Sequence, residues 1–62
     1  MNRLREFRFS KRISQFRLGL EAGIHGSKIS LIENELVKPR PDEVLRISKA
    51  LGVKSEELFP SD

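Results

Sequence analysis

The chain has 62 residues, with twelve Lys and Arg against nine Asp and Glu, a formal net charge of +3, one histidine and no cysteine. This length allows one domain, residues 1–62, whose core is thin and has no disulfide to support it. One histidine without cysteine argues against a zinc site, so no metal or cofactor is expected. No apolar run approaches the roughly 20 residues of a membrane span. The charged N-terminus lacks the apolar stretch of a signal peptide, and we expect a cytoplasmic protein.

The charge is distributed unevenly along the chain. Residues 1–17 carry six basic residues and one acidic residue, a net charge of +5. Basic and acidic residues balance in residues 18–40, whereas residues 41–62 carry three basic and five acidic residues, a net charge of −2. A basic front and an acidic tail can orient a protein against a polyanion such as nucleic acid. A solvated, charged helix face would produce the same pattern, so the charge alone leaves both interpretations open.

The first two helices are predicted from apolar spacing and helix-end signals. Leu4 and Phe7 lie three positions apart with charged residues between them, which predicts an amphipathic helix over about residues 3–11. Ser14 is a favourable N-cap for a second helix, and Gly23 can adopt the left-handed conformation that ends it. Gly19, inside this second helix, permits the close approach of another helix.

Three further helices follow. The third is predicted over about residues 26–34, and the prolines of residues 38–41 prevent that segment from being helical throughout. Pro41 suits the first position of a fourth helix that Gly52 ends, and residues 55–59 predict one more short turn. No segment alternates as a strand does, so the predicted fold is all-α with five short helices. The residues predicted on the inner faces of helices two to four, or at the corner between two and three, are Leu18, Ala22, Ile24, Ile29, Ile32, Val44, Ile47, Ser48 and Leu51.

The segment from Ser14 to Glu33 places a capped helix, a glycine corner and a second helix within 20 residues. This is the size of a helix-turn-helix, whose second helix enters the major groove of DNA. The residue groups that carry a family resemblance are, in chain order, Ser14-Gln15, Leu18-Gly19, Gly23-Ile24, Ile29-Ser30, Ile32-Glu33, Ala50-Leu51-Gly52-Val53 and Glu57-Leu58-Phe59. In order and spacing they resemble the phage repressor and Cro family, from about Leu4 to Phe59. The resemblance implies a lambda-repressor-like fold and a transcriptional regulator, in particular a repressor, that binds specific double-stranded DNA.

The resemblance also implies which residues contact DNA. The recognition helix is about residues 26–34, and its outer face meets base edges. Lys28 would donate to guanine, Ser27 would bond several bases, and Leu31 would touch a thymine methyl group. Gly26 lies on the same face and would act only through its backbone. The family positions that hold phosphates or the neighbouring minor groove correspond to Ser14, Gln15, His25, Asn34, Lys38 and Arg40.

Three positions depart from the family's pattern. His25 stands where the recognition helix usually has a Ser or Thr N-cap, so we expect a poor cap or a phosphate neighbour. Arg12 stands at a turn where glycine is frequent, which predicts local backbone strain. Glu35 replaces a frequent glycine and predicts an extended or redirected loop. Glu33 keeps its place in the motif and is expected to be structural.

A second function remains open, that of an antitoxin or adaptor whose main role is to bind a protein partner. It rests on Phe9, Phe16 and Leu20, which the family pattern places on outward faces. Such a patch would lie beside the first two helices, away from the recognition helix. Alternatively, Phe9 and Phe16 fold inward and thicken the core. An enzyme is disfavoured, because the chain has no cysteine, one histidine and little depth for a substrate pocket.

A homodimer on DNA is also expected, because one recognition helix reads too few bases to find its site. The resemblance places the contact between the two copies near residues 36–38 and 58–59. The sequence fits either a complete minimal regulator or the DNA-binding part of a longer protein.

Overall fold

The computed structural model describes residues 1–60. It contains five helices, α1 (Leu4–Ser10), α2 (Gln15–Ala22), α3 (Gly26–Glu33), α4 (Pro41–Leu51) and α5 (Ser55–Leu58). No strand occurs among the described residues, so the prediction of an all-α fold with five short helices is confirmed. Within the same range, none of the helices has the length and apolar character needed to cross a membrane.

The helix ends follow the signals in the sequence. The Ser14 hydroxyl accepts a hydrogen bond of 3.0 Å from the Arg17 N–H, which satisfies one free donor in the first turn of α2. Gly23 and Gly52 end α2 and α4 with φ angles of 70° and 67°. Pro41 opens α4, at a position whose N–H would have no partner within the helix.

Nine buried apolar side chains form the core, in which α2 packs against both α3 and α4. Burying one such Leu or Ile side chain contributes roughly 1.5–3 kcal/mol. The predicted inner faces are confirmed, with Phe7, Val44 and Ser48 half-buried at the edge. The core residues are Leu4, Leu18, Ala22, Ile24, Ile29, Ile32, Ile47, Leu51 and Leu58.

Gly19 lies where the backbones of α2 and the α2–α3 corner approach each other. A Cβ atom at this position would overlap the Ile24 carbonyl oxygen and lie 3.1 Å from the Gly26 nitrogen. The close approach predicted at Gly19 is therefore confirmed. It brings the start of α3 against the first turn of α2, which fixes how α3 projects from the protein.

Two residues other than glycine adopt positive φ angles, Arg12 at 58° and Glu35 at 60°. This conformation costs an L-residue about 1–2 kcal/mol, so the strain predicted at Arg12 is confirmed. Glu35 follows the end of α3, and its carboxylate accepts a hydrogen bond of 2.8 Å from the Asn2 N–H. The Glu35 side chain thus ties the loop after α3 to the N-terminal segment.

Candidate nucleic-acid interface

The outer face of α3 carries the four residues that the sequence assigned to base contacts. Ser27 and Leu31 are exposed, and Lys28 is half-buried. Gly26 lies against α2, because a Cβ atom there would stand 3.2 Å from the Phe16 Cα atom. Gly26, the first residue of α3, therefore packs against α2, and only its backbone is available to contact a base.

His25 caps α3. Its Nδ1 atom accepts a hydrogen bond of 3.2 Å from the Ser27 N–H and lies 2.8 Å from the Ser27 hydroxyl oxygen. The expectation of a poor cap is wrong, because the imidazole nitrogen replaces the oxygen that Ser or Thr would supply.

A buried carboxylate joins α1, α2 and α3. The Glu33 side chain is 0% exposed and accepts from the Arg8 guanidinium, whose Nη2 atom is 3.3 Å away. It also accepts from Arg5 Nε and from Gln15 Nε2, each at 3.2 Å. Burial raises the pKa of Glu33, but the hydrogen bonds from Arg8, Gln15 and Arg5 outweigh it and hold the pKa below 4.5. The structural role expected for Glu33 is confirmed.

A second buried carboxylate joins α3 to α4. Lys28 Nζ lies 2.7 Å from Glu43 Oε2, and the two side chains are 36% and 4% exposed. Glu43 Oε1 also accepts a hydrogen bond of 2.9 Å from the Arg40 N–H. The hydrogen bond from Lys28 lowers the pKa of Glu43, and the one from the Arg40 N–H adds to this effect. The sequence assigned the Lys28 ammonium to a base, whereas in the structure it contacts this carboxylate.

The sequence did contain a signal for Glu43. It stands four positions before Ile47 and therefore on the buried side of α4. A carboxylate at such a position needs a cation or several N–H donors. Sequence reasoning did not identify this ion pair.

The remaining candidates fall into three places. Gln15, His25, Gly26 and Ser27 line one groove between α2 and α3. Ser14 precedes this groove at the start of α2. Two further residues, Lys38 and Arg40, belong to the α3–α4 connection, where both are exposed and Arg40 pairs with Asp42 at 3.3 Å.

Asn34 lies at the other end of α3. It is exposed, and its Oδ1 atom accepts a hydrogen bond of 2.8 Å from Arg5 Nη2. Arg5 is half-exposed and was not among the sequence candidates, because its partners Glu33 and Asn34 are 28 and 29 positions away in the chain.

Phe9, Phe16 and Leu20 are 61%, 68% and 64% exposed, so their outward placement is confirmed and the inward alternative is wrong. Phe16 and Leu20 line the groove that also contains His25 and Gly26. Their predicted position away from the recognition helix is wrong, because the tight α2–α3 corner brings the start of α3 against Phe16. Phe9 lines a different groove and stacks under the Arg8 guanidinium, 4.8 Å from its ring centre.

Only some of the residues expected at the contact between two copies are accessible at the surface. Leu36 is exposed, and Val37, Lys38 and Phe59 line one groove together with Val44. Leu58 is fully buried in the core. Its assignment to the contact between copies is wrong, because α5 turns this side chain inward.

Comparison with known proteins agrees with this geometry. The family model described as helix-turn-helix matches residues 4–58. Among solved structures, the chain is similar to the P22 c2 repressor in a crystal structure with synthetic operator 9T and Tl+. The identity is 32% and the TM-score 0.89, over 97% of this chain and 91% of that chain. A search of curated proteins found no match. The chain therefore belongs to the helix-turn-helix family of the phage repressor and Cro type, a family of DNA-binding transcriptional regulators.

Proposed function

We propose that the protein is a repressor that binds specific double-stranded DNA with α3 in the major groove. The observation that carries the proposal is the outer face of α3, where Ser27 and Leu31 are exposed beside the tight α2–α3 corner. The similarity to the P22 c2 repressor, a protein described in complex with an operator, supports it. An α-helix fits the width of the major groove, which is where all four base pairs can be distinguished.

Ser27 and Leu31 are proposed as the side chains that read bases. The Ser27 hydroxyl is exposed, and its oxygen has lone pairs that can accept a hydrogen bond from a base amino group. Adenine N6 and cytosine N4 are the amino groups exposed in the major groove. Leu31 would touch a thymine methyl group, and Gly26 would approach only through its backbone.

Phosphate contacts would fix the protein on the duplex. Gln15 Nε2 uses one N–H on Glu33 and retains a second one, at the N-terminal end of α2, for a phosphate oxygen. The other positions proposed around the recognition helix are Ser14, His25, Asn34, Lys38 and Arg40. We add Arg5 to them, because its side chain lies beside Asn34.

Two substitutions test this division of roles. Ser27→Ala is expected to change the preferred base at one position of the site, at a cost of about 1–3 kcal/mol for the original sequence. Gln15→Ala should weaken binding to all sequences by about the same factor, because phosphates carry no base identity. Selection from a random duplex pool, followed by affinity measurements, separates the two effects. A Ser27→Ala variant that selects the wild-type sequence would contradict the assignment.

We further propose that two copies bind the DNA together. Leu36 is exposed, and the groove lined by Val37, Lys38 and Phe59 gives each copy an apolar surface at the α3–α4 connection. A two-fold axis there would set two half-sites about 10 base pairs apart on one face of the duplex. A footprint on the selected sequence should protect both half-sites. Protection of a single half-site would contradict the dimer.

Binding of a protein partner is a second candidate function. Phe16 and Leu20 are four positions apart on α2 and both largely exposed, which is unusual for a small domain without use of that surface. We expect Phe16→Lys to change the free energy of unfolding by less than about 0.5 kcal/mol, as at other exposed positions. If the occupant is a second copy, sedimentation without DNA should show association that Phe16→Lys abolishes. Wild-type protein that remains monomeric would exclude that occupant.

A further inference from the structure

Lys28 is the cation on the outer face of α3, but its charge is directed towards α4. Its Nζ atom lies 2.7 Å from Glu43 Oε2, on a side chain that is 4% exposed. The second carboxylate oxygen accepts from the Arg40 N–H at 2.9 Å. The Lys28 ammonium and the Arg40 N–H are thus the partners of a Glu43 carboxylate that is almost inaccessible to water.

Moving Lys28 onto a base would leave that carboxylate without its cation. A buried charge that loses its partner is strongly destabilising, because nothing in the interior replaces the lost solvation. The nearest substitute is Arg40 Nε, which is 4.0 Å from the same oxygen on a side chain that is 64% exposed and already paired with Asp42. A base oxygen in the major groove is exposed to water, so a hydrogen bond from Lys28 to that oxygen would stabilise the protein less than the contact with Glu43 does. In the free protein Lys28 contacts Glu43, and we expect this contact to persist when DNA is bound.

We propose that Lys28 is a positioning residue, which ties the DNA-facing side of α3 to the first turn of α4 and does not read a base. The inference rests on the proposed function, because it concerns how α3 is held against DNA. It replaces the base contact that the resemblance implied for Lys28 and leaves base reading to Ser27 and Leu31.

Lys28→Met, Glu43→Gln and the double variant test the pair in the free protein. Met keeps the length of the side chain and removes its charge, so Lys28→Met should lower Tm by at least about 10 °C. The double variant removes both charges, and it should recover at least half of that loss. Equal Tm values for wild type and Lys28→Met, or no recovery in the double variant, would overturn the inference.

DNA selection with the double variant separates positioning from reading. Its net charge equals that of the wild type, because one cation and one anion are removed together. We expect it to select the wild-type sequence from a random duplex pool and to keep the same slope of log affinity against log salt. A new base preference at one position would mean that Lys28 reads a base. A slope smaller by about 0.9 for each copy bound would mean that Lys28 neutralises a phosphate. Either result would overturn the inference.

The matched control is Ser27→Ala, which lies next to Lys28 on the same face and should alter base preference with little change in Tm. If wild-type protein selects no sequence, the proposed function fails, and the Tm comparison still decides whether the pair holds α3 to α4. If wild-type protein selects a sequence and the double variant selects a different one, the proposed function stands and only the role of Lys28 is wrong.

Discussion

Glu33→Ala is expected to remove about half of the folding free energy of the domain and to lower Tm by more than about 10 °C. The substitution strips the buried Arg8 guanidinium of its carboxylate and removes the shared acceptor of Arg5 and Gln15. Breaking a buried ion pair from one side costs about 3–5 kcal/mol, and a domain of this size has only roughly 3–9 kcal/mol in total. Thermal unfolding followed by circular dichroism measures the loss.

Glu21→Ala is the matched control for this prediction. Glu21 pairs with Arg17 at 3.2 Å, one turn away on α2, but both side chains are largely exposed. An exposed pair of this kind contributes about 0.3–0.5 kcal/mol, so its removal should lower Tm by no more than a few degrees. If the two variants unfold at the same temperature, the network around Glu33 does not stabilise the fold as its geometry indicates.

Affinity for the preferred duplex is expected to fall about 1000-fold between 50 and 200 mM salt. If Arg5, Lys38 and Arg40 each neutralise one phosphate per copy, two copies neutralise six, and log affinity falls with log salt at a slope of about −5. Titrations at four or five salt concentrations give the slope.

Lys38→Ala tests how much one cation contributes to the slope of log affinity against log salt. It removes an exposed charge from each copy and should reduce the slope by about 1.8 when two copies are bound. The preferred sequence should stay the same. Affinity that does not change with salt would show that phosphate contacts contribute nothing to binding.

The sequence was sufficient for the fold because its signals are local. The inward stripe containing Leu18 and Ala22 follows helical spacing, and Ser14, Gly23 and Pro41 act within one turn of the backbone. Such signals depend on residues a few positions apart. They predicted the five helices and most of the core, and family resemblance supplied the topology.

The ion pairs of the site could not be predicted in this way. Glu33 and Arg8 are 25 positions apart, and Lys28 meets Glu43 across the α3–α4 connection. Helical spacing indicates which side of a helix a residue occupies, but it does not indicate what lies opposite. The same limit explains the misplaced surface of Phe16, whose position depends on how closely Gly26 approaches α2.

The glycine that opens α3 limits how much information the protein can extract from DNA. A fully specified base pair supplies 2 bits, so if Ser27 and Leu31 each specified one base pair, one copy would gain at most about 4 bits and two copies at most about 8 bits. Picking out one site among roughly 10⁶–10⁹ competitors takes about 20–30 bits. Because Gly26 has no side chain to add to this count, we expect most of the remaining selectivity to come from the shape and flexibility of the DNA between the contacts. Among target sites, the deformable central base pairs are therefore expected to vary less than the base pairs that face α3.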